Sequence, residues 1–350
     1  MGVAPTADPI ASAAPYPPLS PPVPGTLRGR AAYLAYRAGA GVARLIPESL
    51  GEPAARAVAR LMAVVTPEKR RQVERNLERA TDGSLQGAAL RRAVAATFDS
   101  YGRYWFELFH LRGDLDRDEL LADHNMVEGF DRIVAGCDAG TGAILALPHV
   151  GAWDYAGAWL SAQGYPPTVV VEPIEPPELF DWFADTRRRL GMEVVALGPE
   201  AGGTVLRALR DGRVVCLLCD RDLTGDGIEV EFFGERTTLP AGPATLALRT
   251  GAPLLPSAVY FRPGGHHGIV QRPVPAERRG RLRDDVTRVT QELAHRFEEL
   301  IRAAPEQWHL LQPNWPSDVR SNGHRPNDDR SNDDRSNDDR GRGDGATARG

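Results

Sequence analysis

The sequence predicts an α/β fold with a mostly parallel central sheet, covered by helices on both faces and preceded by an all-helical N-terminal module. Two observations predict this class. From about residue 124, short apolar runs bounded by Gly or Pro alternate with segments of helical periodicity. Such alternation is typical of strand–helix–strand units that build a parallel sheet. Before that point, the apolar residues recur only at helical spacing.

The N-terminal module is predicted to contain four helices. They cover residues 28–64, as two helices broken in the segment IPESLGEP, and then 66–80 and 88–111. The break is expected where Pro47, Gly51 and Pro53 cluster. In the third helix, Thr66 is predicted to cap the first turn and Pro67 to occupy it.

Seven strands are predicted after residue 124. They are GAILAL (142–147), TVVVE (168–172), MEVVAL (192–197), RVVCLLC (213–219), VEFF (230–233), PLLPSAVYF (253–261) and GIVQ (268–271). Helical patterns separate several of them, and residues 284–305 are predicted to form a long closing helix.

The chain is predicted to divide into four segments. Residues 1–25 are a Pro-rich arm, and residues 320–350 are a tail of NDDRS-like repeats. Both lack the apolar residues needed for a core, so both are predicted to be disordered. Between them lie the basic helical module, residues 26–115, and the α/β domain, residues 116–319.

Charge is distributed unevenly along the chain. Residues 26–113 carry 15 Lys and Arg against 8 Asp and Glu, although the whole chain has a net charge of -5. A basic module on an acidic body predicts an anionic partner, either nucleic acid or an anionic membrane surface. Arg37 and Arg44 interrupt the most apolar stretch, which argues against a membrane-spanning helix. Three cysteines in 350 residues predict a reducing compartment without a disulfide framework.

Two cysteines and two histidines match simple motifs without predicting a site. Cys216 and Cys219 form a CxxC match inside an apolar strand, where they are expected to be structural cysteines. His266 and His267 are expected in an exposed turn. The sequence contains no GxSxG elbow, Walker motif or dinucleotide fingerprint.

The segment LPHVGAWDYAG (147–157) is the strongest candidate for a catalytic site. His149 follows a strand at the carboxyl edge of the predicted sheet, where open α/β sheets bind ligands. Asp154 lies five positions later in the next helix, where it can face His149. A carboxylate there would fix the imidazole tautomer and leave the other nitrogen free as a general base. A loop histidine with ordinary structural partners is the alternative interpretation.

Four blocks, in order, resemble the bacterial lipid acyltransferases of the lipid A lauroyl/myristoyl type, which carry an HX4D/E motif. The blocks are GAILALPHVGAWDYAG (142–157), CDRDL (219–223), VEFFGERTTLPAGPATLALRTGAPLLP (230–256) and WHLLQPNW (308–315). The resemblance covers residues 30–316. Within the family, the sequence is similar to the phosphatidylinositol mannoside acyltransferases of actinobacteria, which sit on the membrane without crossing it.

The resemblance implies transfer of a long-chain acyl group from acyl-CoA, such as palmitoyl-CoA, to a mannose hydroxyl of phosphatidylinositol mannoside. The enzyme is expected to be peripheral, on the cytoplasmic side of the cell membrane, with the membrane as its anionic partner and no nucleic acid. His149 is the expected general base, with Asp154 and Asp220 as catalytic carboxylates. Asp220 is expected to orient or tune the histidine. Because a thiol leaves a thioester readily, neither a covalent nucleophile nor a metal or cofactor is expected beyond acyl-CoA.

Further side chains are candidates for substrate binding. They are Glu172, Arg221 and Asp222 at strand ends, and Arg187 and Arg249 near helix ends. Carboxylates would bind mannose hydroxyls, and arginines would bind CoA or inositol phosphates. Ordinary solvation of the sheet edge and of helix ends is the alternative. Four aromatic residues, Trp153, Trp159, Trp182 and Phe183, would wall an acyl tunnel, with core packing as the alternative.

Other functions remain open at this point. They are acyl transfer to another glycolipid, hydrolysis of acyl-CoA by the same base acting on water, and lipid binding without catalysis. The helices 28–46 and 66–80 are predicted to lie in an anionic membrane interface. Their expected contact residues are Tyr33, Leu34, Tyr36, Leu45 and Leu77.

Overall fold

A computed structural model describes residues 27–43, 45–111, 118, 120 and 127–321 of the chain. The predicted arm, residues 1–25, lies outside the described residues, as does all but the start of the predicted tail. The predicted α/β fold class, with its helical N-terminal region, is confirmed. The boundaries of the four segments stay a prediction.

The helices and strands follow the predicted order closely. The described helices are α1 (Leu27–Ala43), α2 (Glu48–Val65), α3 (Pro67–Ala80), α4 (Gly87–His110), α5 (Phe130–Asp138), α6 (Trp153–Ala162), α7 (Pro177–Arg189), α8 (Ala201–Arg210), α9 (Gly242–Thr250), α10 (Leu282–Arg302) and α11 (Pro316–Ser321), with a 3-10 turn at Pro305–Gln307. The strands are β1 (Val127–Glu128), β2 (Ala143–Leu147), β3 (Thr168–Val171), β4 (Glu193–Ala196), β5 (Val214–Leu218), β6 (Ile228–Phe232), β7 (Glu235–Leu239), β8 (Leu254–Arg262) and β9 (Gly265–Val270).

The helical module departs from prediction in two local features. Helix α2 begins at Glu48, so Gly51 and Pro53 lie in its first turns rather than in the break. Thr66 does not cap α3, because its hydroxyl donates to the carbonyl oxygen of Met62 at 2.6 Å. Thr66 is the one residue between α2 and α3, and its hydroxyl is hydrogen-bonded to the preceding helix.

The main sheet has seven strands in the order β1-β9-β8-β2-β5-β3-β4. β8, β2, β5, β3 and β4 run in one direction, while β9 is antiparallel to β8 and β1 is parallel to β9. β6 and β7 form a separate hairpin. Two strands were not predicted from the sequence: β1, which has two residues, and β7, whose sequence ERTTL has no apolar run.

The central strand β2 is buried on both faces, as expected for a sheet covered twice. Alternate residues point to opposite sides. Leu145 and Leu147 pack with side chains of α4, α5, α6 and α7. Ile144 and Ala146 pack with α8, α9 and α10 on the other side. The predicted helical cover on both faces is therefore confirmed.

Helix α3 is attached to the C-terminal segment by a buried polar cluster. The carboxylate of Asp318 is fully buried and lies 2.9 Å from Arg79 and 3.0 Å from Arg75. Gln72 also donates to it at 2.8 Å. Leu77 is 1% exposed in the adjoining core, so its predicted place at a membrane surface is wrong. Among the described helices, none combines the length and apolar character needed to cross a bilayer.

Candidate active site

His149 and Asp220 are brought together by the register of two neighbouring strands. β2 and β5 are parallel, and Leu147 is paired with Leu218 at their carboxyl ends. Each side chain of the pair follows its strand by two residues. As a result, His149 Nδ1 lies 2.6 Å from Asp220 Oδ1.

Asp220 is fully buried but well supplied with donors. Its Oδ2 accepts hydrogen bonds from the backbone N–H of His149 at 3.0 Å and from Trp308 Nε1 at 2.8 Å. Burial alone would raise the pKa of Asp220, but the facing His149 and these hydrogen bonds hold it below its ordinary value. An ionised Asp220 accepts the Nδ1 proton of His149, which leaves Nε2 as the basic nitrogen.

Asp154 does not contact the imidazole, contrary to the arrangement expected from its spacing. Its carboxylate accepts two hydrogen bonds from Arg187, with Nε at 2.7 Å and Nη2 at 3.0 Å. The hydroxyl of Tyr104 donates to it at 2.7 Å. Burial and the adjacent carboxylate raise the pKa of Tyr104 well above its ordinary value, so it stays a neutral donor. Asp154 therefore anchors α6 to α4 and α7, and Arg187 has less of its guanidinium to offer a phosphate.

Glu172 and Arg221 form an ion pair across the carboxyl ends of β3 and β5. Arg221 Nη2 lies 2.9 Å from Glu172 Oε2. About half of the Glu172 side chain is exposed, whereas Arg221 is mostly buried. The two residues were predicted as separate substrate ligands, and the structure joins them at the edge that carries His149.

The described hydrogen bonds of Asp222 go to a neighbouring turn and strand, and Arg249 lies at the other edge of the sheet. Asp222 accepts hydrogen bonds from the backbone N–H groups of Thr224, Gly225 and Gly227, which commits its carboxylate to a turn. Arg249 is exposed in the last turn of α9, which leads into β8 at its amino end. Since β8 is parallel to β2, this is the opposite edge of the sheet from His149. The predicted substrate contacts of Asp222 and Arg249 are not supported by these positions.

A largely apolar cavity of about 290 Å³ reaches the carboxyl edge beside His149. Its walls come mainly from β2, β3, β5, β8 and β9 and from α4, α6 and α7. Ile174 and Leu223 also line it and are 36% and 41% exposed, so the cavity opens at this edge. Of the predicted tunnel residues, three are part of the lining: Trp153, Trp159 and Phe183. Trp182 is not in the lining and packs against Phe109 and Phe183.

The two cysteines of the CxxC match are poor nucleophiles. Cys216 lines the cavity, where burial raises its pKa to about 12. Burial also raises the pKa of Cys219 well above its ordinary value. Both thiols therefore stay protonated at neutral pH, as structural cysteines do. All three cysteines of the chain are free.

Known proteins are similar in sequence to this chain over most of its length. Residues 28–317 match the model of a family described as bacterial lipid A biosynthesis acyltransferase. The chain belongs to this acyltransferase family. It is similar to the phosphatidylinositol mannoside acyltransferase of Mycobacterium tuberculosis (strain CDC 1551 / Oshkosh), with 41% identity over 254 residues, or 71% of this chain and 78% of the relative. The phosphatidylinositol mannoside acyltransferase of Mycolicibacterium smegmatis is 39% identical over 300 residues, which cover 84% of this chain and 94% of the relative.

The protein is therefore an acyltransferase, and the family predicted from the four sequence blocks is confirmed. In this acyltransferase the His and the Asp of the HX4D motif have different partners. His149 joins Asp220 at the sheet edge, while Asp154 joins Arg187 inside the cavity wall. Among the described residues, no three His, Cys, Asp or Glu side chains gather as a metal site would require.

Sequence reasoning missed two residues of the block WHLLQPNW that contact the acyltransferase site. Trp308 donates to Asp220, and the backbone N–H of His309 donates to the carbonyl oxygen of His149 at 2.7 Å. The His309 ring is buried, which lowers its pKa to about 3, and its Nε2 lies 2.8 Å from Ser100 Oγ. The block WHLLQPNW could have indicated these residues, because it is one of the four blocks that carry the family resemblance. The sequence alone assigned no role to it.

His266 was expected in an exposed turn, and that prediction is wrong. It lies in β9, with 7% of its side chain exposed and its Nε2 2.9 Å from Glu107 Oε2. Its ring stacks on Tyr155 with a centroid distance of 3.8 Å. The PGGHHG segment supplies the tight β8–β9 turn, and His266 enters the strand immediately after it.

Proposed function

We propose that this acyltransferase transfers a long-chain acyl group, such as palmitoyl, from acyl-CoA to a mannose hydroxyl of phosphatidylinositol mannoside. The reaction takes place at the cytoplasmic face of the cell membrane, with His149 as general base. The observation that carries the proposal is the His149–Asp220 pair beside the open end of an apolar cavity. The names of the mycobacterial relatives support the acceptor.

The proposed chemistry is direct transfer between thioester and alcohol. Nε2 of His149 takes the proton of the mannose hydroxyl while that oxygen attacks the thioester carbonyl carbon. The new C–O ester bond forms, the C–S bond breaks, and the imidazolium returns its proton to the leaving CoA sulfur. Asp220 stabilises the imidazolium that exists between these two proton transfers. A thiol with a pKa of about 8.5 leaves without help from an acyl-enzyme intermediate.

The acyl chain of the donor would occupy the apolar cavity. Small-molecule sites are commonly about 300–1,000 Å³ and mostly apolar with a few polar groups, so this cavity lies near the lower end. Its polar lining residues at the sheet edge, His149, Glu172 and Arg221, would face the thioester and the polar parts of both substrates. In the proposal, Glu172 meets sugar hydroxyls and Arg221 meets a phosphate.

The first two helices would hold the enzyme at the membrane. These helices and the link between them carry large apolar side chains that are more than half exposed: Leu34, Val42, Leu45, Leu50, Val58, Leu61, Val64 and Val65. A surface this apolar on one side of a protein is typical of an interaction site. Lys69, Arg70 and Arg71 are exposed at the start of the adjoining α3 and would meet anionic lipid.

Product analysis tests the function directly. The purified protein is incubated with palmitoyl-CoA and phosphatidylinositol mannoside, and lipids and thiols are identified by mass spectrometry. The proposal expects acylated glycolipid and free CoA in equal amounts. Free palmitate with CoA would instead indicate a thioesterase, and binding without any product would indicate a lipid-binding protein. Parallel reactions with lipid A precursors test the other glycolipid class.

A further inference from the structure

The C-terminal segment 305–315 crosses the catalytic strand end and is hydrogen-bonded to it. Val150 and Trp308 form an antiparallel bridge. On one side of the bridge, Gly151 N donates to the carbonyl oxygen of Gln307 at 3.0 Å, and on the other, His309 N donates to that of His149 at 2.7 Å. The segment thus fixes the backbone on both sides of Val150.

The Trp308 side chain extends this attachment to the carboxylate partner. Its Nε1 donates to Asp220 Oδ2 at 2.8 Å, and the indole is only 2% exposed. The same oxygen accepts the backbone N–H of His149 at 3.0 Å, while Oδ1 lies 2.6 Å from Nδ1 of that residue. Asn314 Nδ2 also donates to the Asp220 carbonyl oxygen at 3.0 Å. With Oδ2 held by two donors, the carboxylate cannot rotate Oδ1 away from the imidazole without breaking them.

We propose that Trp308 is a positioning residue for the transfer reaction, acting through Asp220. Its indole N–H keeps the carboxylate ionised and oriented, so that His149 is held with the Nδ1 proton facing Asp220 and Nε2 facing substrate. A hydrogen bond to a charged acceptor in a dry site is stronger than one between neutral groups. The expected effect on kcat rests on the proposed function. The effect of Trp308 on the orientation of Asp220 and His149 does not depend on that function.

Trp315 provides a control for ordinary core packing. It is 1% exposed, lies 6.2 Å from Trp308 between ring centroids, and stacks on Phe232. Its Nε1 donates to the carbonyl oxygen of Phe232 at 3.2 Å rather than to Asp220. The two tryptophans therefore share a core, and the indole N–H of each donates one hydrogen bond. The two indoles differ in the charge and role of the acceptor.

The test compares Trp308→Phe with Trp315→Phe in the full chain, measuring kcat, KM for palmitoyl-CoA and unfolding in denaturant. A third variant carries 3-benzothienylalanine at position 308, which keeps the shape of indole but lacks the N–H. We expect kcat to fall roughly 10- to 100-fold in both position-308 variants, with KM within about threefold. Trp315→Phe should lose comparable stability and keep kcat within about threefold. Equal kcat losses at the two positions, or full activity with benzothienylalanine, would overturn the proposal.

A spectroscopic measurement separates this inference from the proposed function. In enzyme with isotopically labelled histidine, the NMR signal of the His149 Nδ1 proton is assigned as the one missing from the spectrum of His149→Gln. This signal is then followed in the absence of substrate. It should be protected from exchange in the wild type and in Trp315→Phe, and exchange with water in the benzothienylalanine variant. If the wild type transfers no acyl group, the proposed function fails, yet this signal still decides whether Trp308 orders the pair. An unchanged signal in the variant would refute the positioning role.

Discussion

His149 Nδ1 and Asp220 Oδ1 lie 2.6 Å apart although 71 residues separate them in the chain. The contact arises because both residues follow parallel neighbouring strands by the same number of residues. Asp220 is fully buried while the imidazole keeps 29% of its side chain exposed. One member of the pair is therefore shielded from water and the other can reach a substrate, which is the asymmetry that a general base and its partner require.

Replacing His149 by Ala should reduce transfer by roughly 10²–10⁴-fold, because the proton of the acceptor hydroxyl then has no base. His295 on α10 is exposed and is not part of the cavity lining, so His295→Ala serves as the control and should keep wild-type turnover. Steady-state rates with palmitoyl-CoA and phosphatidylinositol mannoside provide the measurement. More than about a tenth of wild-type turnover in His149→Ala would contradict the mechanism.

Asp220→Asn should lower kcat by roughly 10²-fold or more while leaving acyl-CoA affinity nearly unchanged. The amide keeps the shape of the side chain but removes the charge that stabilises protonated His149. Asp222→Asn makes the same chemical change two residues away, in a carboxylate committed to a turn, and should retain most activity. Calorimetry of acyl-CoA binding beside steady-state rates distinguishes the two effects. Equal losses in affinity and turnover would make Asp220 a donor-binding group instead.

The sequence could predict those parts of the molecule that depend on local pattern. Strand β2, the place of His149 at its end and the helix after it all follow from apolar periodicity and from Pro148. The His149–Asp220 contact needs the additional knowledge that β2 and β5 are neighbours, which no local pattern contains. The partner of Asp154 depends on how α7 packs beside α6, so spacing along the chain favoured the wrong residue. Trp308 reaches the site from almost 90 residues beyond Asp220, through a segment without regular periodicity.

Asp154→Asn should destabilise the fold by about 3–5 kcal/mol, because it leaves the buried guanidinium of Arg187 without its charge partner. Both side chains are largely buried, with 14% of Arg187 and 4% of Asp154 exposed. The double variant Asp154→Asn/Arg187→Met should recover part of this loss, since it removes the unpaired cation as well. Urea unfolding of the wild type and of these two variants measures the effect. A stable Asp154→Asn protein with no turnover would instead give Asp154 a direct part in the chemistry.

The stability of the fold should fall as pH decreases from about 6.5 towards 3, partly because of His309. Burial lowers the pKa of this imidazole from 6.5 to about 3, so between these values the unfolded chain binds a proton that the folded chain excludes. Its contribution is complete above the unfolded pKa and decreases by up to about 1.4 kcal/mol per pH unit below it. His309→Gln should therefore show a smaller decline than the wild type between pH 6.5 and 4 in urea unfolding. Identical pH slopes would mean that His309 is accessible to protons in the folded protein.

Membrane attachment should depend on an apolar face and a basic face that meet at the junction of α2 and α3. Val58, Leu61 and Val65 are 68%, 61% and 65% exposed, and their spacing places them on one side of α2. Replacing all three by Gln, which is polar but uncharged, should weaken sedimentation with liposomes without large loss of stability, because exposed side chains contribute little to the core. The loss should appear with neutral and anionic lipids alike, since it removes apolar burial in the interface.

Reversal of Lys69, Arg70 and Arg71 to Glu should act differently, by weakening binding to anionic liposomes only. Each basic residue near such a surface contributes about 1 kcal/mol, so the loss of three positive charges alone lowers the partition coefficient by roughly 100-fold at low salt. The three added negative charges lower it further. The matched control reverses Arg279, Arg281 and Arg283, which are also exposed but lie just before and at the start of α10, near the amino edge of the sheet and away from His149. That control changes the net charge by the same amount. If only long-range attraction mattered, both variants would bind anionic liposomes equally weakly. Selective release of the Lys69–Arg71 variant, with transfer on detergent-dispersed substrate preserved, is the result expected if this face docks the enzyme. Salt-sensitive binding to DNA but not to liposomes would contradict it and point to nucleic acid as the anionic partner.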